Sequence, residues 1–173
     1  MLGGIAVVVV IVGTVGAVIF KPWLIVVNTE VDDEIPAVAS APPTPGVPSG
    51  DAPADAARRL SSGTFISHEH DTSGTASIIE NPDGSRIVAI ENLRTTTGPD
   101  VHVWLSAGPV IPGFSGWTTA GDHPHVDLGM IKGNRGDQVY PIPAGTDLDE
   151  YGAVVLWCVQ FGVSFGAAEL AAA

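Results

Sequence analysis

The chain has 173 residues and carries 19 acidic against seven basic side chains, which gives a formal net charge of −12. An acidic surface repels phosphate, so this balance argues against nucleic-acid binding and against docking onto anionic lipid headgroups. The sequence contains one cysteine, Cys158, which excludes an intramolecular disulfide, a four-cysteine zinc site and a CxxC redox pair.

The N-terminal segment Leu2–Phe20 is uncharged and predominantly apolar. As a helix it reaches about 28 Å, close to the hydrocarbon thickness of a bilayer, and it lacks the polar stripe of a soluble helix. Lys21 and Trp23 follow this segment, at the depth expected for the membrane interface. The indole ring of Trp and the long basic side chain of Lys both favour the headgroup region there. The segment therefore predicts a single transmembrane anchor within residues 1–27, with the lipid bilayer as its partner.

The alternative for this segment is a cleaved signal peptide. It is weakened because no small-x-small cleavage site directly follows Phe20, and the pattern Ala39-Ser40-Ala41 lies far downstream before a proline. Charge does not set the orientation of the span. No Lys or Arg precedes it, and Lys21 alone argues for a cytoplasmic C-terminal part.

Residues 28–62 contain few large apolar side chains. The segment opens with an acidic cluster (Glu30, Asp32, Asp33 and Glu34) and continues with Pro, Ala and Ser. Such a chain buries too little surface to offset its ordering entropy. We predict a semi-rigid stalk that holds a domain above the membrane, with a weak helical signal at Asp51–Leu60.

From residue 63 to residue 173 the period of the apolar residues changes to two. Strands are predicted at Thr64–Glu69, Thr75–Asn81, Ser85–Glu91, Val101–Ser106, His125–Ile131, Gln138–Ile142, Ala153–Val159 and Val163–Glu169. Asn81–Gly84 is a strong hairpin-turn sequence. About eight short strands separated by turns predict an all-β domain, either an antiparallel β-sandwich or a Greek-key barrel.

Several ordered motifs stand out in this part of the chain. The most distinctive are Gly63–His70 (GTFISHEH), Gly98–Ser106 (GPDVHVWLS), Val154–Cys158 (VVLWC) and Phe165–Leu170 (FGAAEL). In this order they resemble the DM thirteen domain, a small module associated with Skeletor-type proteins. Phe20–Trp23 and the acidic stretch after it are similar to membrane-tethered actinobacterial members. The resemblance implies an all-β domain held at the cell membrane, outside the cytoplasm.

The resemblance also implies a redox or electron-transfer role centred on the family's cysteine, here Cys158. That thiol would act alone or ligate a prosthetic group, with haem or copper as candidates. Trp157, His102 and His70 are candidate cofactor-binding residues beside it, and an electron-transfer or surface protein is the implied partner. The alternatives are a non-catalytic adhesion or interaction domain and a metal-binding accessory protein.

Strand alternation places Cys158 on the face of Leu156, opposite the face of Trp157. We expect the heavier Trp157 face to form the main core, with Cys158 on a thinner apolar layer. No basic side chain lies near Cys158 in sequence, so inert packing is the expectation from the residues alone. A sharper hypothesis is that His102, Trp104 and Cys158 border one cavity.

The histidines form two His-x-His pairs, His68/His70 and His123/His125. Residues i and i+2 of a strand share a face, so four imidazoles, or some of them with Cys158, would suit copper or zinc. The alternative is that they are solvated residues at strand ends, and Pro124 interrupts the second pair.

Motifs for nucleotide binding and for hydrolysis are missing. Gly133 and Gly136 lack the Lys-Ser/Thr ending of a phosphate loop, and no Gly-x-Ser-x-Gly elbow occurs. The longest irregular stretch, Gly108–Pro124, is either a functional loop or a packed crossover.

Overall fold

The structure is a computed structural model that describes Thr14, residues 27–38 and residues 56–173. These parts contain ten strands and two short 3₁₀ turns, Phe114–Gly116 and Thr119–Asp122. The strands are β1 (Glu30–Asp32), β2 (Arg58–Ser67), β3 (Ser73–Glu80), β4 (Arg86–Arg94), β5 (Val101–Ser106), β6 (His125–Met130), β7 (Arg135–Ile142), β8 (Ala153–Cys158), β9 (Val163–Glu169) and β10 (Ala171–Ala172). The prediction of a mostly β fold is confirmed, because each predicted strand overlaps one of β2 to β9.

The strands form one continuous sheet rather than two separate ones. Its order is β1-β7-β4-β3-β2-β9-β8-β5-β6, with β10 beside β2. Strand β2 pairs with β3 up to Thr64 and with β9 from Phe65 onward, so it belongs to both halves of the sheet. The expected sandwich or barrel is therefore built as a single curled sheet, in which the two halves face each other across the core.

Antiparallel pairing gathers the loops at two ends of this sheet. At one end, Arg135 donates its backbone N–H to the carbonyl of Thr29 (3.2 Å), and Val159 donates to the carbonyl of Asp100 (2.9 Å). We call this the entry end, defined by residues 27–29, 95–100, 131–134 and 159–162. The far end carries the turns at 81–85 and 143–152. The described chain thus enters the domain at the same end as the C-terminus of β8.

The main core lies on the Cys158 face, which corrects the expectation from sequence. Val154, Leu156 and Cys158 pack into a cluster that draws buried residues from both halves of the sheet. Trp157 belongs to a smaller cluster on the outer face, where Ala120 of the long loop covers it. The curl of the sheet determines which face of β8 carries the main core. The inner face packs against the other half of the sheet, whereas the outer face packs only against a loop.

Two segments that were predicted as stalk are strands. Strand β1 lies parallel to β7, with Glu30 opposite Arg135. Asp33 extends this contact, since its carboxylate pairs with Lys132 and accepts the backbone N–H of Val139 (2.9 Å). Strand β2 begins at Arg58, inside the segment with the weak helical signal. Neither segment shows apolar alternation, so their pairing partners, distant in sequence, decide their structure.

The segment between β1 and β2 has its two flanks joined. Val38 and Ala57 form a parallel bridge, so both sides of residues 39–56 are fixed to the domain. Residues 39–55, the middle of the predicted linker, lie outside the described residues. The predicted membrane span, Leu2–Phe20, lies outside the described residues apart from Thr14. Among the residues that the structure describes, no helix is long and apolar enough to cross a bilayer.

Candidate functional site

Cys158 is the last residue of β8, and its side chain is fully buried, with 0% exposure. Its neighbours across the sheet are Val101 on β5 and Val163 on β9. The turn at 159–162 follows it directly, and Gly162 donates its backbone N–H to the carbonyl of Cys158 (2.8 Å). Cys158 therefore lies next to the entry end, at the start of a largely exposed turn.

The environment of the sulfur favours the neutral thiol. Burial raises the pKa of Cys158, and backbone N–H groups of Phe161, Gln160 and Asp100 act against this increase without reversing it. The carboxylate of Asp100 raises the pKa further by repelling a thiolate. A protonated thiol at neutral pH agrees with the expectation drawn from the absence of basic neighbours in sequence.

His102, on β5, lies between two carboxylates. Its Nδ1 is 2.8 Å from Oδ2 of Asp127, and its Nε2 is 3.2 Å from Oδ1 of Asp100. Desolvation works to lower the pKa of His102, but the contacts with Asp127 and Asp100 outweigh it, so the pKa is raised. No motif in the sequence joins these carboxylates to His102. A bulge between His102 and Trp104 in the β5–β6 pairing, which is invisible in the sequence, brings Asp127 within reach.

The raised pKa of His102 makes part of the stability pH-dependent. Its contribution is present below the unfolded pKa of about 6.5 and is lost as the pH rises through the folded value. We expect His102→Gln to lower the free energy of unfolding near pH 5.5 by only up to about 1 kcal/mol, because the ion pair is partly exposed. The loss should be smaller near pH 9, where the contribution of the charged imidazole is lost. Urea titrations at both pH values measure this.

The control for that experiment is His123→Gln, because the His123 ring packs beside Gly108 and, among the described residues, takes part in no ion pair. This variant should show a smaller pH-dependent loss than His102→Gln. An equal loss at both pH values for His102→Gln would contradict the ion-pair explanation.

The hypothesis of one cavity bordered by His102, Trp104 and Cys158 is wrong. His102 and Trp104 alternate with Val101 and Val103, and it is the latter pair that shares the inner core with Cys158. The outer face instead carries a row of stacked rings. His125 stacks on Trp104 (centroids 3.6 Å apart, 7° between planes), and Trp104 stacks on Trp157 (5.0 Å, 22°).

The long loop packs over this row of rings. Ala120 belongs to the cluster that contains both indoles, and Val110 packs against that cluster. Gly121 lies against the Trp157 ring. Of the two readings of Gly108–Pro124, the packed crossover is the one that the structure supports.

The surroundings of Cys158 do not fit haem or copper. A haem needs open volume beside its axial sulfur, and this side chain has no accessible surface. Copper needs further nitrogen or sulfur donors at bonding distance. Among the described residues, no group of three or more His, Cys, Asp or Glu is arranged to hold a metal ion. The candidate cofactor residues are also divided, since Trp157 and His102 lie on the outer face.

The four paired histidines are not brought together. Strands β9, β8 and β5 separate β2 from β6, so His68, which follows β2, and His125, which begins β6, are far apart in the sheet. Each has local contacts instead. Nδ1 of His68 is 2.8 Å from Oγ of Ser164, and burial lowers the pKa of His68. His70 pairs with Glu69 and packs on Phe165 (centroids 3.8 Å apart). His123 ends the second 3₁₀ turn.

Comparison with known proteins gives one family. A family model described as electron transfer DM13 matches residues 64–170, which is more than half of the chain and includes β3 to β9 with Cys158. No curated protein and no solved structure matched the chain. The match confirms the resemblance to the DM thirteen domain that the motifs indicated. The chain belongs to the electron-transfer DM13 family.

Proposed function

We propose that this domain transfers single electrons outside the cytoplasm, anchored to the cell membrane by residues 1–27, and that Cys158 is the group that is oxidised and reduced. The observation that carries the proposal is the position of Cys158. Its sulfur is sealed from solvent, yet Cys158 is the last residue of β8 and the exposed turn at 159–162 follows it directly.

Complete burial favours electron transfer over thiol–disulfide exchange. Exchange requires a thiolate that attacks another sulfur directly, so it needs both access and a low pKa. Cys158 has neither, since its side chain is enclosed and its pKa is raised. An electron needs only proximity, because it tunnels through a thin layer of protein without contact between the reacting atoms.

Oxidation of a neutral thiol must release a proton with the electron. In the proposed step, Cys158–SH gives one electron to a one-electron acceptor protein and its proton to the carboxylate of Asp100, which leaves a sulfur-centred radical. Asp100 contacts His102, and His102 contacts Asp127 on the surface. These three groups supply a path for the proton towards solvent, and re-reduction reverses both transfers.

The stacked rings support the same function. Trp157 follows Leu156 and precedes Cys158 on β8, and its indole contacts that of Trp104, which contacts the exposed His125. Indole rings accept and pass single electrons more readily than aliphatic side chains. The row therefore offers a second direction in which an electron could leave the Cys158 region.

The test is voltammetry of the full-length protein, purified from its native host and held in neutral-lipid nanodiscs on an electrode. The wild-type protein should give a one-electron wave that Cys158→Ala abolishes. Because a proton accompanies the electron, the potential should fall by about 59 mV per pH unit around neutrality. A visible spectrum of the same sample reports any coloured prosthetic group.

Met130→Leu is the matched control, since it removes the sulfur of an exposed side chain on β6, two strands away from β8, and should leave the wave unchanged. A wave that survives Cys158→Ala would disprove the role of this thiol. A colourless, electrochemically silent protein would favour the second candidate, an interaction domain, which is consistent with the burial and raised pKa of Cys158.

A further inference from the structure

Exposed apolar side chains occur in and near the turn that follows Cys158. Met130 is 56% exposed, Val159 45% and Phe161 50%. We call these three residues the apolar rim. Phe114, at 80%, adjoins it: its ring packs on Trp117 (centroids 5.0 Å apart), whose carbonyl accepts the backbone N–H of Ser164 just after this turn (2.7 Å). Large apolar side chains at this exposure mark an interaction surface when they lie together.

The apolar rim lies at the entry end. Thr29, Pro99 and Met130 line one cavity, which shows that the incoming chain and the rim are adjacent. Val159 is tied to the same place, because its N–H bonds to the carbonyl of Asp100, the residue after Pro99.

The incoming chain is fixed there by a buried side chain. Asn134, 2% exposed, accepts the backbone N–H of Thr29 on Oδ1 (2.8 Å) and donates from Nδ2 to Oδ1 of Asn28 and to the carbonyl of Thr95, both at 2.9 Å. The chain that connects the predicted anchor to the domain is therefore short. If the anchor extends to residue 27, only Asn28 and Thr29 separate it from β1.

We propose that the apolar rim rests on the bilayer that holds the N-terminal span, inserted at the level of the headgroups, so that the Cys158 end of the domain faces lipid. This inference rests on the membrane anchoring in the proposed function. Apolar and aromatic side chains on a short tether bind a lipid interface through buried apolar area. The chain carries a formal net charge of −12, so the fitting surface is neutral rather than anionic lipid.

The test measures depth at two positions of the full-length chain in phosphatidylcholine vesicles that contain acyl-chain nitroxide lipids. A fluorophore is attached through Gln160→Cys, between two rim residues, or through Asp83→Cys, on the far-end turn. Both residues are exposed, and Cys158→Ala removes the native thiol. Quenching at position 160 should be about threefold stronger than at position 83, as expected for a surface-inserted side chain.

Replacing the rim by Val159→Ser and Phe161→Ser should remove this difference while the protein stays on the vesicles. Vesicle flotation after alkaline carbonate separates the two proposals. Protein that does not float overturns the anchoring and the rim together. Protein that floats, with equal quenching at both positions, overturns the rim alone. A position-160 label that is unquenched in vesicles but shielded in native membranes would assign the rim to a protein partner and also overturn the proposal.

Discussion

Gly136→Ala is expected to lower the free energy of unfolding by about 3 kcal/mol, because two penalties combine there. Gly136 has φ of +89°, a conformation that L-residues rarely adopt. A Cβ at this position would also lie 2.0 Å from the carbonyl oxygen of Val31, so β1 would have to leave β7. Urea unfolding of the wild-type and variant proteins measures the loss.

Gly145→Ala is the control for this substitution. Gly145 has a similar φ of +85°, but no atom lies within 4 Å of the position that its Cβ would occupy. This variant should lose only about 1 kcal/mol, the conformational part of the penalty. Hydrogen exchange should show faster exchange of the Asp33 amide in Gly136→Ala alone. Equal losses in the two variants would mean that β1 contributes nothing to stability.

Leu156→Ala is expected to cost about 3 kcal/mol or more, the usual range for a leucine removed from a tight core. Leu156 is fully buried between Val154 and Cys158 on the inner face, and both halves of the sheet pack on it. The loss would confirm that the main core lies on this face. Thermal and urea unfolding give two independent measurements of it.

Leu148→Ala is the matched control, since Leu148 packs against the same cluster but is only partly buried. It should cost about 1 kcal/mol, because less apolar area leaves water at that position. A Leu156→Ala variant no less stable than Leu148→Ala would contradict the core assignment. The Leu156 cavity should also increase thiol reactivity of Cys158 under native conditions, which a maleimide assay reports.

Local pattern was sufficient to predict most strands. Strands β3 to β9 have alternating or continuous apolar residues, and turn residues such as Asn81–Gly84 separate them. The apolar period and the positions of the turns therefore predict the same strands. Strand β1 could not be found in this way. Its three residues, Glu30–Asp32, carry no apolar repeat, and they pair with β7, more than 100 residues away.

The face of the core was mispredicted for a different physical reason. The Trp157 side of β8 carries more bulk, and bulk predicts burial only where both faces of a strand are covered equally. Burial depends on what covers a face, and the curl of the sheet gives the Cys158 side the larger cover. No local sequence feature encodes that curl.

The candidate site was only partly predictable. Cys158 and His102 were identified from the family motifs, and the neutral thiol followed from its apolar sequence neighbours. The partnership of His102 with Asp127 was not predictable, because a bulge in β5–β6 pairing creates it. Likewise, the separation of the histidine pairs depends on strand order, which four residues with His-x-His spacing do not reveal.

The bridge between Val38 and Ala57 has a consequence for how this protein can vary and be engineered. Since Val38 and Ala57 are held side by side on the domain, the number of residues between them can change without displacing β1 or β2. Doubling a loop costs only about 0.6 kcal/mol in closure entropy. A reporter or affinity module inserted there should leave the pairing of β1 with β7 and of β2 with β3 unchanged.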